Sequence, residues 1–342
     1  MTPEHEITTP GPLLDPTGSV REPGWSRFPR LDCNLENAHF YRIRRAQRLR
    51  IKRWDYYGVT HPEGFFSATI ADLGYAGQIF VYVIDFASGA CVEDTVTIPL
   101  GRGVALPRNS DGDAHYQGKD ARVSFHRAPD HHRIEVDWDG FAASGIRATI
   151  RFDVPPTHES TVVVIPIGRR RFYYNRKINC MPAAGHIEFG DATTSLETAS
   201  SLGTLDWGRG VWPYRSFWVW ASASGFLPDG RTAGLNLGFG FGDTTAATEN
   251  TIVVDGTIHK LGTVDFRYDA NDFTKPWQMK SERVDLEFTP FLERLAKTNL
   301  LVVRSEVHQM FGRYDGTVID DAGEAIRFDG IIGWAEEHHA RW

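Results

Sequence analysis

Between positions 203 and 225 the chain reads GTLDWGRGVWPYRSFWVWASASG, which sets Asp206, Arg209, Tyr214 and Arg215 among Trp207, Trp212, Trp218 and Trp220. Indole rings exclude water, so the chemistry of a carboxylate or guanidinium placed among them is set by its neighbours rather than by solvent. Asp206 is on these grounds a candidate general acid, of the kind that protonating an alkene, an enol ether or a carbonyl requires. The structural alternative is an ion pair with Arg209 that fixes a turn within an aromatic core.

A second polar and aromatic cluster is Tyr173, Tyr174, Lys177 and Asn179. In extended backbone Tyr173, Asn175 and Lys177 face one way, and Tyr174, Arg176 and Ile178 the other. A buried lysine can serve as a base or a Schiff-base amine, whereas one that is exposed or held by a carboxylate does neither. Glu249 closes the run GFGFGDTTAATE and is either an acid or base or a residue that caps a strand start. Gln309 ends the face of Val303, Val307 and Phe311, as a ligand hydrogen-bonder or as a satisfied core amide.

Cofactor patterns are missing. The glycine run lacks a closing Gly-Lys-Ser/Thr and a following helix, so it is neither a phosphate loop nor a dinucleotide fingerprint. His131-His132 and His338-His339 are adjacent pairs that point to opposite faces when extended, and no H-x-H, H-E-x-x-H or G-x-S-x-G occurs. The expectation is chemistry without metal, nucleotide or flavin. Cys33, Cys91 and Cys180 are too far apart in sequence for a disulfide framework or a closely spaced zinc motif and read as reduced thiols.

The chain has 342 residues, is 41% hydrophobic and 24% charged, and carries a net charge of −7. That balance argues against a general nucleic-acid binder. Arg42, Arg44, Arg45, Arg48, Arg50, Lys52 and Arg53 crowd one stretch, read as a solvated helix face, with an anionic-substrate or membrane-surface role as the alternative. No apolar run reaches the ~20 residues of a membrane span, and the first residues lack a signal-peptide layout, so the expected location is cytoplasmic.

The elements that must position these residues are mostly strands. Period-2 alternation or β-rich composition marks 65–70, 78–86, 121–125, 133–138, 145–152, 160–167 and 216–222. It continues through 232–241, 251–254, 258–261, 264–268, 284–288, 300–311, 317–319, 325–328 and 331–334. In 232–241 the leucines and phenylalanines alternate with Gly234, Asn236, Gly238 and Gly240, a face that lets a ligand or another backbone approach. Helices are expected only at 37–50 and 290–296, a long loop at 101–118, and a turn near Met181-Pro182 and Gly185. Residues 1–24 read as a flexible arm or an extended segment on the surface. The sum is an all-β protein of antiparallel strands forming barrels or sandwiches.

Several of these residues fall into a pattern that resembles the family catalogued as domain of unknown function 2804. It comprises Gly24-Trp25, Trp54-Asp55-Tyr56-Tyr57, Tyr174 to Asn179, LDWGRGVWPY, Asn236 and Thr248-Glu249-Asn250. Phe288-Thr289-Pro290, His308-Gln309-x-Phe311-Gly312 and Gly333-x-x-Glu336 complete it. More distantly, the Tyr-Tyr strand end, the glycine turn and the Asp in a Trp/Gly-rich segment are similar to lipocalin-like carotenoid hydratases and tocopherol cyclases. That resemblance implies two calycin-like β-barrels and cofactor-independent proton chemistry on hydrophobic substrates. Those enzymes tend to have Asp-His where this chain has Asp206-Trp207.

On this reading residues 25–182 and 183–342 form the two barrels. The chain is then a lyase or isomerase acting on an apolar terpenoid, lipid or aromatic molecule. Asp206 would be the acid, Tyr174 and Glu249 would position or relay protons, and Arg209 and Lys177 would orient them. Trp207, Trp212, Tyr214, Trp218, Trp220, Tyr173, Asn179, Asn236 and Gln309 would contact the substrate. The alternative is a non-catalytic carrier of a lipid or small molecule, which needs the aromatic lining but no ionisable residue. Whether Asp206 and Glu249 face a cavity bears directly on that choice.

Overall fold

The computed structural model describes residues 4–300 and 303–341. Among them the chain forms two large curled antiparallel sheets and only short single turns of helix, in keeping with the period-2 pattern of the sequence. The first sheet has fourteen strands. Its main path runs Cys91–Pro99, Ala76–Asp85, Gly64–Asp72, Ile51–His61, Leu202–Val211 and Phe172–Phe189, then Ile146–Asp153, His131–Trp138, Ala121–Arg127, Ala114–Gln117 and Val104–Ala105. The second has nine, in the order Thr257–Lys260, Thr251–Val254, Thr232–Phe239, Arg215–Phe226, Ala325–Arg341, Val303–Ile319, Val284–Leu300, Trp277–Lys280 and Asp265–Arg267.

Each sheet wraps a core made by alternate residues of its strands. In the first these include Tyr57, Val59, Phe66, Ala68, Val81, Phe125, Ile134, Phe152 and Trp207. In the second they include Val219, Ala221, Leu235, Leu237, Ile252, Met310, Tyr314 and Ala335. The intervening residues of several strands are buried as well, because the sheets pack on each other. Tyr56, Phe65, Tyr82 and Ile84 from the first meet Trp220, Leu292, Phe311 and Trp334 from the second.

Several expectations are corrected. Residues 37–50 do not form one helix: Leu35–Asn37 is a 3-10 turn and Arg44–Gln47 a single α turn. Ile43, counted on the apolar face, is 69% exposed, and Gln47 Oε1 instead accepts from the backbone of Phe40 and Tyr41 at 2.6 and 3.1 Å. Part of the basic stretch is strand, with Lys52 buried and donating to the Leu73 carbonyl at 2.7 Å. Residues 290–296 lie within the strand Val284–Leu300, where a bulge between Pro290 and Leu292 accommodates a proline that cannot donate to the ladder. The expected turn near Met181-Pro182 is a bulge inside the strand Phe172–Phe189, with Cys180 at φ 59°. Short strands Val104–Ala105 and Ala114–Gln117 interrupt the expected loop.

The first sheet ends with Leu202–Val211 and the second begins with Arg215–Phe226. The passage between them therefore falls beyond residue 182, because Phe172–Phe189 and Leu202–Val211 both pair within the first sheet. The N-terminal segment is a packed strap rather than a flexible arm. Ile7, Leu13 and Leu14 enter the first core, and Asn34 exchanges two 2.9 Å hydrogen bonds with the backbone of Leu14. Glu4 pairs with Lys260 of the second sheet at 2.6 Å.

Candidate active site

At the junction of the sheets lies a cavity of about 280 Å³ with a mostly apolar lining. Alternation decides which residues reach it. On the strand Leu202–Val211, Asp206 points to the cavity, while Trp207 and Arg209 point back into the first core. On Phe172–Phe189, Tyr173 and Lys177 line the cavity and Tyr174 faces the core, where its hydroxyl donates to the Leu31 carbonyl at 2.9 Å. Lys177 and Asp206 are direct partners across the ladder.

The Lys177 ammonium is shared. Its Nζ lies 3.2 Å from Glu249 Oε2, 3.9 Å from Asp206 Oδ2 and 3.8 Å from the centre of the Trp220 ring. Asn175 Nδ2 donates to Asp206 Oδ1 at 2.6 Å and to the Trp207 carbonyl at 2.7 Å, which fixes the carboxylate. Glu249 is held through its backbone: Asn236 Nδ2 donates to its carbonyl at 2.7 Å, and Trp220 Nε1 donates to Asn236 Oδ1 at 2.7 Å. Gly238 makes room for the Glu249 side chain, since a Cβ there would sit 2.2 Å from its Oε1. The glycine face thus admits a carboxylate. At Gly234 it admits Cys180 of the first sheet, whose Sγ would lie 2.6 Å from an added Cβ.

Arg209 is not the partner of Asp206. It pairs with Asp55 at 2.8 Å inside the first core, where Asp55 also binds Arg127 at 2.6 Å and all three side chains are essentially inaccessible. Tyr174, Arg209 and Trp207 therefore do not line the cavity, and neither does Tyr214, which is exposed. Asn179 ties the sheets together by donating to Ser222 Oγ at 2.8 Å. Trp212, Trp218, Trp220 and Gln309 line the cavity, and Asn236 supports it from behind Trp220.

Residues 4–342 match the family described as a domain of unknown function, DUF2804. The chain belongs to this family. Among solved structures, the DUF2804 chain is similar to an AttH-type protein of Nitrosomonas europaea, at 15% identity and a TM-score of 0.50 over 84% of this chain and 92% of that one. It is also similar to kievitone hydratase from Nectria haematococca, at 10% identity and TM-score 0.45, and to CghA solved with Sch210972, at 9% and 0.45. Each of the last two comparisons covers 85% of this chain and 88% of the other. None of the curated proteins matches it. The likeness to the Nitrosomonas protein is one of fold, and a shared fold leaves the chemistry to be argued from the site.

The DUF2804 cavity holds groups that the motifs did not single out as site residues. Glu336 lies on its wall, with Trp218 Nε1 donating to its Oε1 at 3.3 Å. Burial pushes its carboxyl up to about 7, against the pull of Arg294, the Trp218 indole and Lys177, and Asp206 adds to the rise. His338 beside it is held down to about 3, by burial first and then by positive neighbours. Tyr56, Tyr82, Glu93 and Arg294 complete a second polar group, in which Arg294 Nε binds Glu93 at 2.8 Å and its guanidinium lies 4.2 Å from the Tyr82 ring centre. Tyr56 and Glu336 were legible as members of the family pattern, but their roles depend on a contact between sheets. Among the described residues no group of three His, Cys, Asp or Glu is arranged to hold a metal ion, and no helix is long and apolar enough to cross a membrane.

Proposed function

We propose that this DUF2804 protein is a cofactor-independent enzyme of the lyase or isomerase type, moving protons on a hydrophobic terpenoid, lipid or aromatic molecule held between the two sheets. The observation that carries the reading is that Asp206 and Glu249, both buried, reach one mostly apolar cavity and share a single ammonium. Burying carboxylates is costly, and a carrier of apolar ligands gains nothing from it. A proton-transfer site does, because a group that gives or takes a proton must stand within hydrogen-bond reach of the reacting atom. Lys177 and Asn175 fix Asp206, Lys177 and the Asn236 bond fix Glu249, and Trp54, Trp212, Trp218 and Trp220 supply the flat apolar walls.

The test is a screen of apolar compounds in D2O, with mass spectrometry reading solvent deuterium fixed at carbon or a new product. Asp206→Asn keeps the shape and the Asn175 contact but cannot carry the proton, so turnover is expected to fall by about 100-fold or more. Its melting temperature should stay close to that of the wild type, since Glu249 still holds Lys177. Turnover that survives the substitution, or a variant that unfolds, would remove Asp206 from the chemistry.

A further inference from the structure

One end of the cavity carries a hydrogen-bond donor that none of the described residues accepts from. The Tyr56 and Tyr82 hydroxyls are 3.0 Å apart, Tyr82 donates to Gln309 Oε1 at 3.2 Å, and Arg294 Nη1 donates to the same oxygen at 3.1 Å. A guanidinium has no acceptor, so the amide atom it meets must be the oxygen. The orientation of Gln309 is thereby fixed, with both lone pairs of its oxygen occupied. Among the described residues nothing accepts from its Nε2, although the residue is 2% exposed and lines the cavity. The charge of Arg294 at the oxygen end polarises the amide and strengthens its N–H groups as donors.

Glu336 stands directly opposite. It is the ladder partner of Gln309 on the neighbouring strand, and both face the cavity. Side chains so paired have Cβ atoms about 4.5–5.5 Å apart, close enough to converge on one atom. The described hydrogen bond of the Glu336 carboxyl is received from Trp218, on one oxygen. Burial raises this carboxyl to about 7, so it carries an O–H as the pH falls below that value. The cations of the cavity wall, Lys177, Arg294 and Arg304, are each ion-paired already, with Asp206 and Glu249, with Glu93 and with Glu306.

We infer that Gln309 and Glu336 form a two-donor seat for a neutral acceptor oxygen, and that the substrate is a hydrophobic molecule bearing a carbonyl. With those cations already paired, an anionic ligand is disfavoured, while two convergent donors require an acceptor. This deepens the proton-transfer reading and rests on it, since a carbonyl held by donors at one end of the cavity is activated toward the carboxylates at the other.

The experiment compares 2-acetylnaphthalene with 2-ethylnaphthalene, similar in size and differing in the carbonyl, by titration calorimetry. Near pH 6 the ketone is expected to bind about tenfold more tightly, the worth of one to two net hydrogen bonds. Gln309→Glu keeps an oxygen toward Tyr82 and Arg294 but replaces the donor by an acceptor, so the preference should vanish, with a melting curve confirming the fold. Raising the pH through about 7 should shrink the wild-type preference as Glu336 ionises, while Glu336→Gln, a donor at every pH, keeps it. Lys177, Asp206, Glu249, Glu93, Arg294, Arg304 and His338 face the same space, and Glu336→Gln separates Glu336 from them. Equal binding of both compounds, a preference that survives in Gln309→Glu, or one indifferent to pH in the wild type overturns the inference and leaves proton transfer in the cavity standing. If neither compound binds, the inference and the hydrophobic-cavity reading fall together.

Discussion

Asp55 and Asp206 lie on adjacent strands and face opposite sides of the first sheet, and that difference sets what each can do. Asp55 is ladder partner to Trp207 and points into the core, where Arg209 and Arg127 close on it. Asp206 is ladder partner to Tyr56 and points into the cavity, beside a lysine that Glu249 also holds. Removing the charge of Asp55 leaves two buried guanidinium groups without their carboxylate, so Asp55→Asn is expected to cost about 3–5 kcal/mol in urea unfolding. A variant as stable as the wild type would show that the trio is better solvated than its burial implies. Alternation along the chain was enough to point Lys177 and Tyr173 away from Tyr174. It could not supply the partner of Arg209, because Asp55 comes from a strand far away in sequence. Glu336 stood in the family pattern, but its role escaped for a related reason: within Glu336-Glu337-His338-His339 no local spacing shows which carboxyl another sheet covers.

At the scale of elements, the strand Thr232–Phe239 shows what a glycine face is for. Gly238 leaves the space that the Glu249 carboxylate fills, and a Cβ would come within 2.2 Å of that oxygen. Gly238→Ala is therefore expected to push Glu249 off Lys177 and to cost about 1–3 kcal/mol, the usual penalty for overpacking. Thermal melting reads the stability, and the rate of any deuterium exchange reads the site. Unchanged values of both would mean that Glu249 adapts and is not needed where it stands. The strands themselves were largely legible, since period-2 alternation survives wherever one face meets a core and the other meets solvent or the partner sheet. The late strands were read as separate pieces because glycines and a proline interrupt the pattern in Val284–Leu300, Val303–Ile319 and Ala325–Arg341. A bulge absorbs each of two such breaks, near Pro290 and between Tyr314 and Gly316, without ending the strand. The helix expected at 290–296 failed for this reason, as a short apolar run does not by itself distinguish the two periods.

Taken as a whole, the molecule holds imidazoles away from water in two places: His132 inside the first core, where its Nδ1 lies 2.9 Å from the Tyr57 hydroxyl, and His338 on the wall of the cavity between the sheets. His338 is held down to about 3 and His132 well below its ordinary value, in both cases by burial first and by positive neighbours second, and burial also lowers His61 and His158. An unfolded histidine takes up its proton near pH 6.5. Below that pH the unfolded chain binds protons that these folded sites refuse, so the stability they contribute is fully present above about 6.5 and is lost as the pH falls. Glu336 runs the other way. With its folded value raised to about 7, its contribution is present below the ordinary carboxylate range and disappears as the pH rises through 7. Between about pH 6.5 and 5 each fully shifted group changes stability by about 1.4 kcal/mol per pH unit, so Glu336 offsets one histidine and leaves at least one uncompensated. Wild-type protein is expected to lose about 2 kcal/mol over that interval, and Glu336→Gln, lacking the offset, about twice as much. Urea midpoints measured at both pH values check the two slopes. A wild-type stability that stays level or rises toward pH 5 would mean that the His132 and His338 rings are reached by water, and that the first core around Tyr57 and the packing of Trp218 and Ser305 on His338 are looser than they stand.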